Sequence, residues 1–158
     1  MTKQLANSLG QQLKTRGWKL VTAESCTGGG LAYTITSIAG SSVWFDRGLV
    51  TYSNTSKEEL LGVNSATLKT YGSVSAETAQ EMAKGALKNS QAQISIAITG
   101  IAGPDGGTAD KPVGTVWIAC ATSTQAVQVS HHLFSGDRAT VREKTIKTAL
   151  DILLSTTA

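Results

Sequence analysis

One short stretch in the second half of the chain constrains the fold more than any other. Ile94, Ile96 and Ile98 alternate there with two small residues, Ser95 and Ala97. A strand without a polar face is typical of a sheet that is buried on both sides, as in α/β proteins. We therefore expect a sheet that is covered by helices on both faces.

The remaining patterns alternate between strands and helices, then give two adjacent strands and a final helix. Leu5, Leu9 and Leu13 recur at one-turn spacing before Gly17, which predicts a helix that ends at a glycine cap. The two late strands predict an antiparallel pair at one edge of a mixed sheet. The predicted strands cover residues 18–23, 48–53, 93–98, 115–121 and 127–134, and further helices are predicted from residue 28, over 55–61, after Ser75 and over 138–154.

Size and composition favour one domain over residues 1–158 and exclude several classes of function. Hydrophobic residues make up 41% of the chain, enough for one core. A net charge of +3 and 5% aromatic residues do not suggest a nucleic-acid binder. No secretory signal or membrane span is visible, and Cys26 and Cys120 form no CxxC pair. We expect a soluble, cytoplasmic protein that binds neither nucleic acid nor membrane.

A strand-to-helix junction at residues 22–30 carries the first candidate site. Its sequence is TAESCTGGG. Free N–H groups and the helix dipole at such a junction can hold a phosphate or a developing oxyanion. Capping of the helix by Ser25 or Thr27 explains the same residues equally well. This segment alone leaves both interpretations open.

A serine nucleophile needs a base, and the histidines are poor candidates. His131 and His132 are adjacent in a predicted strand and so point to opposite faces. No cluster of His and Cys indicates a metal site. Gly28 occupies the third position after Ser25, so an S-x-x-K motif is absent. Lys57, at a predicted helix start, could act as the base if burial lowers its pKa, although a solvated surface role is the common one for such a lysine.

The glycine-rich segment over residues 99–107 is the third candidate. A long loop between core strands is more often functional than a plain connection, and glycine allows the backbone to approach a ligand closely. Arg138, at the start of the last helix, could bind a phosphate or carboxylate with its guanidinium group or form a surface ion pair.

Together these segments resemble the C-terminal domain of the CinA competence-damage family. The resemblance covers essentially the whole chain. The matching motifs, in order, are AESCTGG at 23–29, VTYSN at 50–54 with Lys57, LGV at 61–63, GSVS at 72–75, residues 99–107 and GDR at 136–138.

The resemblance implies a three-layer α/β/α sandwich with a mixed, mostly parallel sheet, and the single-domain form of the family. It also implies a homodimer that hydrolyses nicotinamide mononucleotide to nicotinic acid mononucleotide and ammonia, with no metal or cofactor. Residue by residue, it implies Ser25 as nucleophile, Lys57 as general base and Tyr52 as a residue that orients the lysine or relays a proton. Backbone N–H groups after Ser25 would hold the oxyanion. The residues expected to contact substrate are Thr27, Gly28 and Gly29, together with Thr99, Gly100 and Arg138, which would hold the ribose phosphate.

Two alternatives remain open. Cys26 could be the nucleophile, with Glu24 and Lys57 completing a nitrilase-like set. The chain could also be a nucleotide-binding module without catalytic activity.

Overall fold

The computed structural model describes all 158 residues as one five-stranded sheet with six α-helices. None of the helices is both long and apolar enough to cross a membrane. A 3-10 turn at Ser41–Val43 precedes the second strand. The main elements are α1 (Thr2–Arg16), β1 (Leu20–Glu24), α2 (Gly30–Thr36), β2 (Phe45–Val50), α3 (Asn54–Leu61), α4 (Ser65–Tyr71), α5 (Ala76–Lys88), β3 (Ile94–Gly100), β4 (Thr115–Thr122), β5 (Gln128–Leu133) and α6 (Arg138–Thr157).

The strand order in the sheet is β2-β1-β3-β4-β5. β1 pairs in parallel with both β2 and β3, whereas β3 with β4 and β4 with β5 pair antiparallel. Four of the five strands therefore run in the same direction, and β4 alone is reversed. The predicted mixed, mostly parallel sheet with an antiparallel edge pair is confirmed.

Helices cover both faces of this sheet and bury a separate core on each. The first core joins α1, α2 and α6 to the isoleucines of β3, and the second joins α5 to small residues of the central strands. Ala97 belongs to the second core, and the Ser95 hydroxyl donates a hydrogen bond to the Ala83 carbonyl of α5 at 2.7 Å. The alternation along β3 thus separates the two faces, and the predicted α/β/α layering is confirmed.

Several element boundaries differ from the sequence-based expectation. β2 was expected over 48–53 but spans Phe45–Val50, because Ser53 caps α3 by accepting a hydrogen bond from the Ser56 N–H at 3.0 Å. α4 was not predicted, since only Leu68 of that helix is buried. Glu81 of α5 holds α4 by accepting hydrogen bonds from the Asn64 N–H and the Thr67 hydroxyl.

The topology brings three loops together at one edge of the sheet. The chain leaves β1 through α2 on one face and leaves β2 through α3 to α5 on the other. The carboxyl ends of β1, β2 and β3 therefore meet where the connections diverge, which is the usual ligand site in open α/β sheets.

Candidate active site

Ser25 and Lys57 meet at this edge. Ser25 follows β1, and Lys57 lies in the first half of α3, just after β2. The Lys57 Nζ lies 3.1 Å from the Ser25 Oγ, 2.8 Å from the Thr51 carbonyl oxygen and 3.3 Å from the Tyr52 carbonyl oxygen. The structure therefore brings together the two side chains that the sequence analysis paired.

The environment of Lys57 favours its uncharged form. Its side chain is only 1% exposed, and no carboxylate forms an ion pair with it. Burial lowers the pKa of Lys57 below its ordinary value of 10.5. A neutral amine has two N–H donors and one lone pair. The Thr51 and Tyr52 carbonyls can accept both N–H groups, which leaves the lone pair for the Ser25 hydroxyl proton.

A buried carboxylate organises the turn that carries Ser25. Glu24 is 1% exposed. It accepts hydrogen bonds from the Thr27 hydroxyl at 2.5 Å and from the N–H groups of Leu31 and Ala32 at 2.9 and 3.0 Å. The last two groups lie in the first turn of α2, where the helix dipole also stabilises a negative charge. Glu24 thus fixes the turn to the helix and is not part of a set with Lys57.

Thr27, Gly28 and Gly29 do not line the cavity beside Ser25. Thr27 is fully buried, and its hydroxyl is used by Glu24. Gly28 and Gly29 have φ values of 59° and 97°, which glycine adopts without strain. Helix α2 consequently starts at Gly30 and not at Gly28 as expected. These three residues shape the turn, and the contact with substrate that the sequence analysis expected of them stays a prediction.

Cys26 lies on the cavity wall but is a weak nucleophile in this setting. Its side chain is 6% exposed. Burial raises the pKa of the Cys26 thiol to about 11, with a smaller contribution from the nearby Glu24 carboxylate. The thiol therefore stays protonated near neutral pH, and the thiolate is the reactive form.

A cavity of about 440 Å³ opens beside Ser25 and Lys57. Its volume is within the range of small-molecule sites. Loops that follow β1, β2 and β3, the turn between α4 and α5, and the start of α6 form its walls. The lining residues are Ser25, Cys26, Tyr52, Lys57, Gly72, Ser73, Val74, Thr99, Gly100, Ile101, Ala102, Gly103, Asp105, Gly106, Thr108, Lys111 and Arg138.

Tyr52 contacts Lys57 through its backbone and Arg138 through its side chain. Its carbonyl oxygen is the one 3.3 Å from the Lys57 Nζ, whereas its exposed phenol accepts a hydrogen bond from Arg138 at 3.2 Å. Arg138 also donates to the Gly103 carbonyl at 2.8 Å. The phenol makes no hydrogen bond to Lys57, and the expected role of Tyr52 in orienting the lysine or relaying a proton stays a prediction.

Thr99 and Gly100 line the cavity where β3 ends. The Thr99 hydroxyl already donates to the Ser73 carbonyl at 2.6 Å. A Cβ at Gly100 would lie 2.8 Å from the Thr115 carbonyl oxygen, so this glycine allows β3 and β4 to pair closely. Both positions are structurally constrained before any ligand is considered.

The sequence analysis missed Ser73, Val74 and Lys111 as wall residues. The first two belong to the GSVS motif at 72–75, which was noted without a role. Lys111 lies four residues after the end of the glycine-rich segment. These signals were present, but only the fold shows that both segments face Ser25.

The histidines lie outside the cavity. The His131 ring packs on Trp117 with 4.6 Å between centroids, and His132 hydrogen bonds to the Ser130 hydroxyl at 2.8 Å. No group of three or more His, Cys, Asp or Glu side chains is arranged to hold a metal ion. Lys57 is therefore the base that the structure offers to Ser25.

Comparison with known proteins identifies the family of this chain. A family model described as the CinA C-terminal domain matches residues 2–157. The chain belongs to the CinA C-terminal domain family. Within this family it is 52% identical to the nicotinamide-nucleotide amidohydrolase PncC of Escherichia coli strain K12, over 95% of this chain and 91% of that protein. It is 46% identical to the PncC of Pseudomonas putida, over 95% and 93% of the two chains.

A solved structure of the CinA family has the same fold. The competence/damage inducible protein CihA from Agrobacterium tumefaciens superimposes with a TM-score of 0.96 at 44% identity, covering 98% of this chain and 94% of that one.

Proposed function

We propose that this chain hydrolyses the carboxamide of nicotinamide mononucleotide, giving nicotinic acid mononucleotide and ammonia, with Ser25 as nucleophile and Lys57 as general base. The hydrolase class follows from amidohydrolases that are about half identical over nearly their whole length. The observation that carries the mechanism is the 3.1 Å contact between the Lys57 Nζ and the Ser25 Oγ in a buried setting.

In the first half of the reaction, the Ser25 Oγ attacks the amide carbon and its proton passes to the Lys57 Nζ. The N–H group of Cys26, which donates to no other backbone group and belongs to a residue that lines the cavity, is the candidate for holding the oxyanion. Protonated Lys57 then donates a proton to the departing nitrogen, so that the C–N bond breaks and ammonia leaves. The product of this half is an ester between Ser25 and the nicotinoyl group.

In the second half, Lys57 accepts a proton from a water molecule that attacks the ester carbon. The ester bond breaks, the proton returns to the Ser25 Oγ, and the acid nucleotide is released. The balance is one water consumed and one ammonia formed. Each half needs an uncharged amine at its start, which is the form that burial of Lys57 favours.

The test compares Ser25→Ala with Cys26→Ala. Loss of Ser25 removes the group that forms the intermediate, so ammonia release from nicotinamide mononucleotide should fall at least about 1,000-fold. Cys26→Ala should keep most of the activity, because the protonated thiol has no role in this scheme. Steady-state ammonia release measures both variants, with thermal unfolding as the check on folding.

Two results would contradict the proposal. A large loss in Cys26→Ala with an active Ser25→Ala would transfer the role to the thiol. Binding of the nucleotide by the wild-type chain without ammonia release above the uncatalysed rate would favour a binding module. The expected homodimer and cytoplasmic location remain predictions, and sedimentation equilibrium would measure the first.

A further inference from the structure

Lys111 is a cation on the cavity wall without an acidic partner. It lies in the loop between β3 and β4 and forms no ion pair. The ammonium group donates one hydrogen bond within the protein, to the Tyr71 carbonyl at 2.7 Å. An ammonium has three N–H donors, so two of those on Lys111 have no acceptor in the protein.

Contacts of both the main chain and the side chain of Lys111 restrict the position of its ammonium group. Backbone and side-chain bonds with Thr108 hold the main chain, at 3.0 Å from the Lys111 N–H to the Thr108 hydroxyl and 2.9 Å from the Thr108 N–H to the Lys111 carbonyl. At the other end, Gly72 leaves room for Nζ, since a Cβ there would lie 3.3 Å from it. A long side chain that is held in this way loses less conformational freedom on binding a ligand.

The substrate of the proposed reaction carries a phosphate, which needs hydrogen-bond donors. Among the positions expected from sequence to bind it, Thr99 has a single donor that is already used, and Gly100 has no side chain. Arg138 has donors beyond the two that contact Gly103 and Tyr52. Lys111 and Arg138 are therefore the two cations that the cavity offers to a phosphate dianion.

We propose that Lys111 binds the phosphate of the nucleotide and makes the site select a nucleotide over the corresponding nucleoside. This inference rests on the proposed function. The bond to the Tyr71 carbonyl holds the ammonium group in place at the cavity wall and leaves two N–H groups for the phosphate. The carboxamide would then meet Ser25 while the phosphate lies between the loop after β3 and the start of α6.

The test uses the full-length chain and two substrates that share the carboxamide and the ribose. Nicotinamide mononucleotide carries the phosphate, and nicotinamide riboside lacks it. A hydrogen bond to a charged group contributes enough that Lys111→Met should raise KM for the nucleotide about ten- to a hundredfold, with kcat nearly unchanged. For the riboside, kcat/KM should stay within about twofold of wild type, because this substrate has no phosphate for Lys111 to contact.

Two matched variants separate charge from structure. Lys111→Arg should keep most of the selectivity, because it keeps a cation in the same place. Lys69→Met removes an exposed lysine from neighbouring α4 and should change neither kcat nor KM for either substrate. Competitive inhibition by inorganic phosphate gives a second measurement if the riboside reacts too slowly, and Lys111→Met should weaken it by a similar factor.

The outcomes distinguish this inference from the proposed function. Equal losses of kcat/KM for both substrates in Lys111→Met would assign Lys111 a structural role through Tyr71 and overturn the phosphate assignment. An unchanged KM for the nucleotide would overturn it as well. Absence of ammonia release by the wild-type chain would instead overturn the proposed function on which the inference rests.

Discussion

The cavity has two walls that differ in how they are built. The strand-end wall consists of Ser25, Cys26 and Lys57, which are at most 8% exposed. The loop wall consists of residues 100–111 with Arg138, and much of it, including Asp105 and Thr108, is exposed. Backbone groups at strand ends hold the first wall, whereas two long cationic side chains, those of Lys111 and Arg138, link the second to neighbouring elements.

This difference indicates a division of labour. Bond-making atoms have to be placed within a few tenths of an ångström, and strand ends provide that precision. Binding residues tolerate more movement, and exposed loops commonly supply them. We therefore expect changes of Ser25 or Lys57 in the strand-end wall to lower kcat and changes in the loop wall to raise KM.

The largest expected effect is that of Lys57→Met. The variant removes the only base next to Ser25, so kcat should fall by about 100- to 10,000-fold while KM changes little. Ammonia release under saturating substrate measures it, and Lys147→Met on the exposed part of α6 is the control. A rise in KM with an unchanged kcat would mean that the two walls do not divide the work as proposed.

A smaller effect is expected for Arg138→Met in the loop wall. The substitution removes a hydrogen-bond donor to the substrate phosphate together with the contacts to Gly103 and Tyr52. KM should therefore rise about ten- to a hundredfold. The loss of kcat should stay within about fivefold, because the Ser25–Lys57 contact does not involve Arg138. Initial rates over a range of nucleotide concentrations measure both constants. A selective loss of kcat would show that Arg138 also positions the reacting atoms.

The smallest expected effect is a pH dependence of the free energy of unfolding, which comes from Lys57 in the strand-end wall. The lowered pKa of Lys57 means that the unfolded chain binds a proton at pH values where the folded chain has released it. Between the lowered pKa and 10.5 the free energy of unfolding should therefore rise with pH, by at most about 1.4 kcal/mol per unit for this group.

Activity should follow the same titration, with kcat/KM rising as Lys57 loses its proton. Urea unfolding of wild type and Lys57→Met across this pH range isolates the stability term, because the variant lacks the titrating group. Identical pH dependence of unfolding in the two proteins would contradict a buried, easily deprotonated lysine.

The same two walls differ in how far sequence predicts them. Ser25 and Lys57 follow strands whose patterns are local, so the topology of an α/β sheet brings them together. Thr27, Gly28 and Gly29 were assigned to substrate because a hydroxyl and glycines at a helix start suit either role. The sequence does not reveal that the Thr27 hydroxyl donates to Glu24, which gives this residue its role in the turn.

Lys111 illustrates what local patterns cannot give. Its significance comes from the Tyr71 carbonyl, 40 positions away, and from a helix, α4, that has too few apolar residues to be predicted. The identity of a wall residue in a loop depends on which distant segment that loop approaches. Periodic patterns in the sequence do not indicate which distant segment a loop approaches.

The reversed direction of β4 has a consequence for how such a site can change. Because β4 runs back along β3, the chain between them needs no crossover, and several of its residues line the cavity beside Ser25. Lengthening or exchanging this hairpin connection would remodel the ligand's surroundings without moving any strand of the parallel half. The fold thus places Ser25 and Lys57 beside a segment whose length can change without moving the strands that position them, which is a route to new substrates within one scaffold.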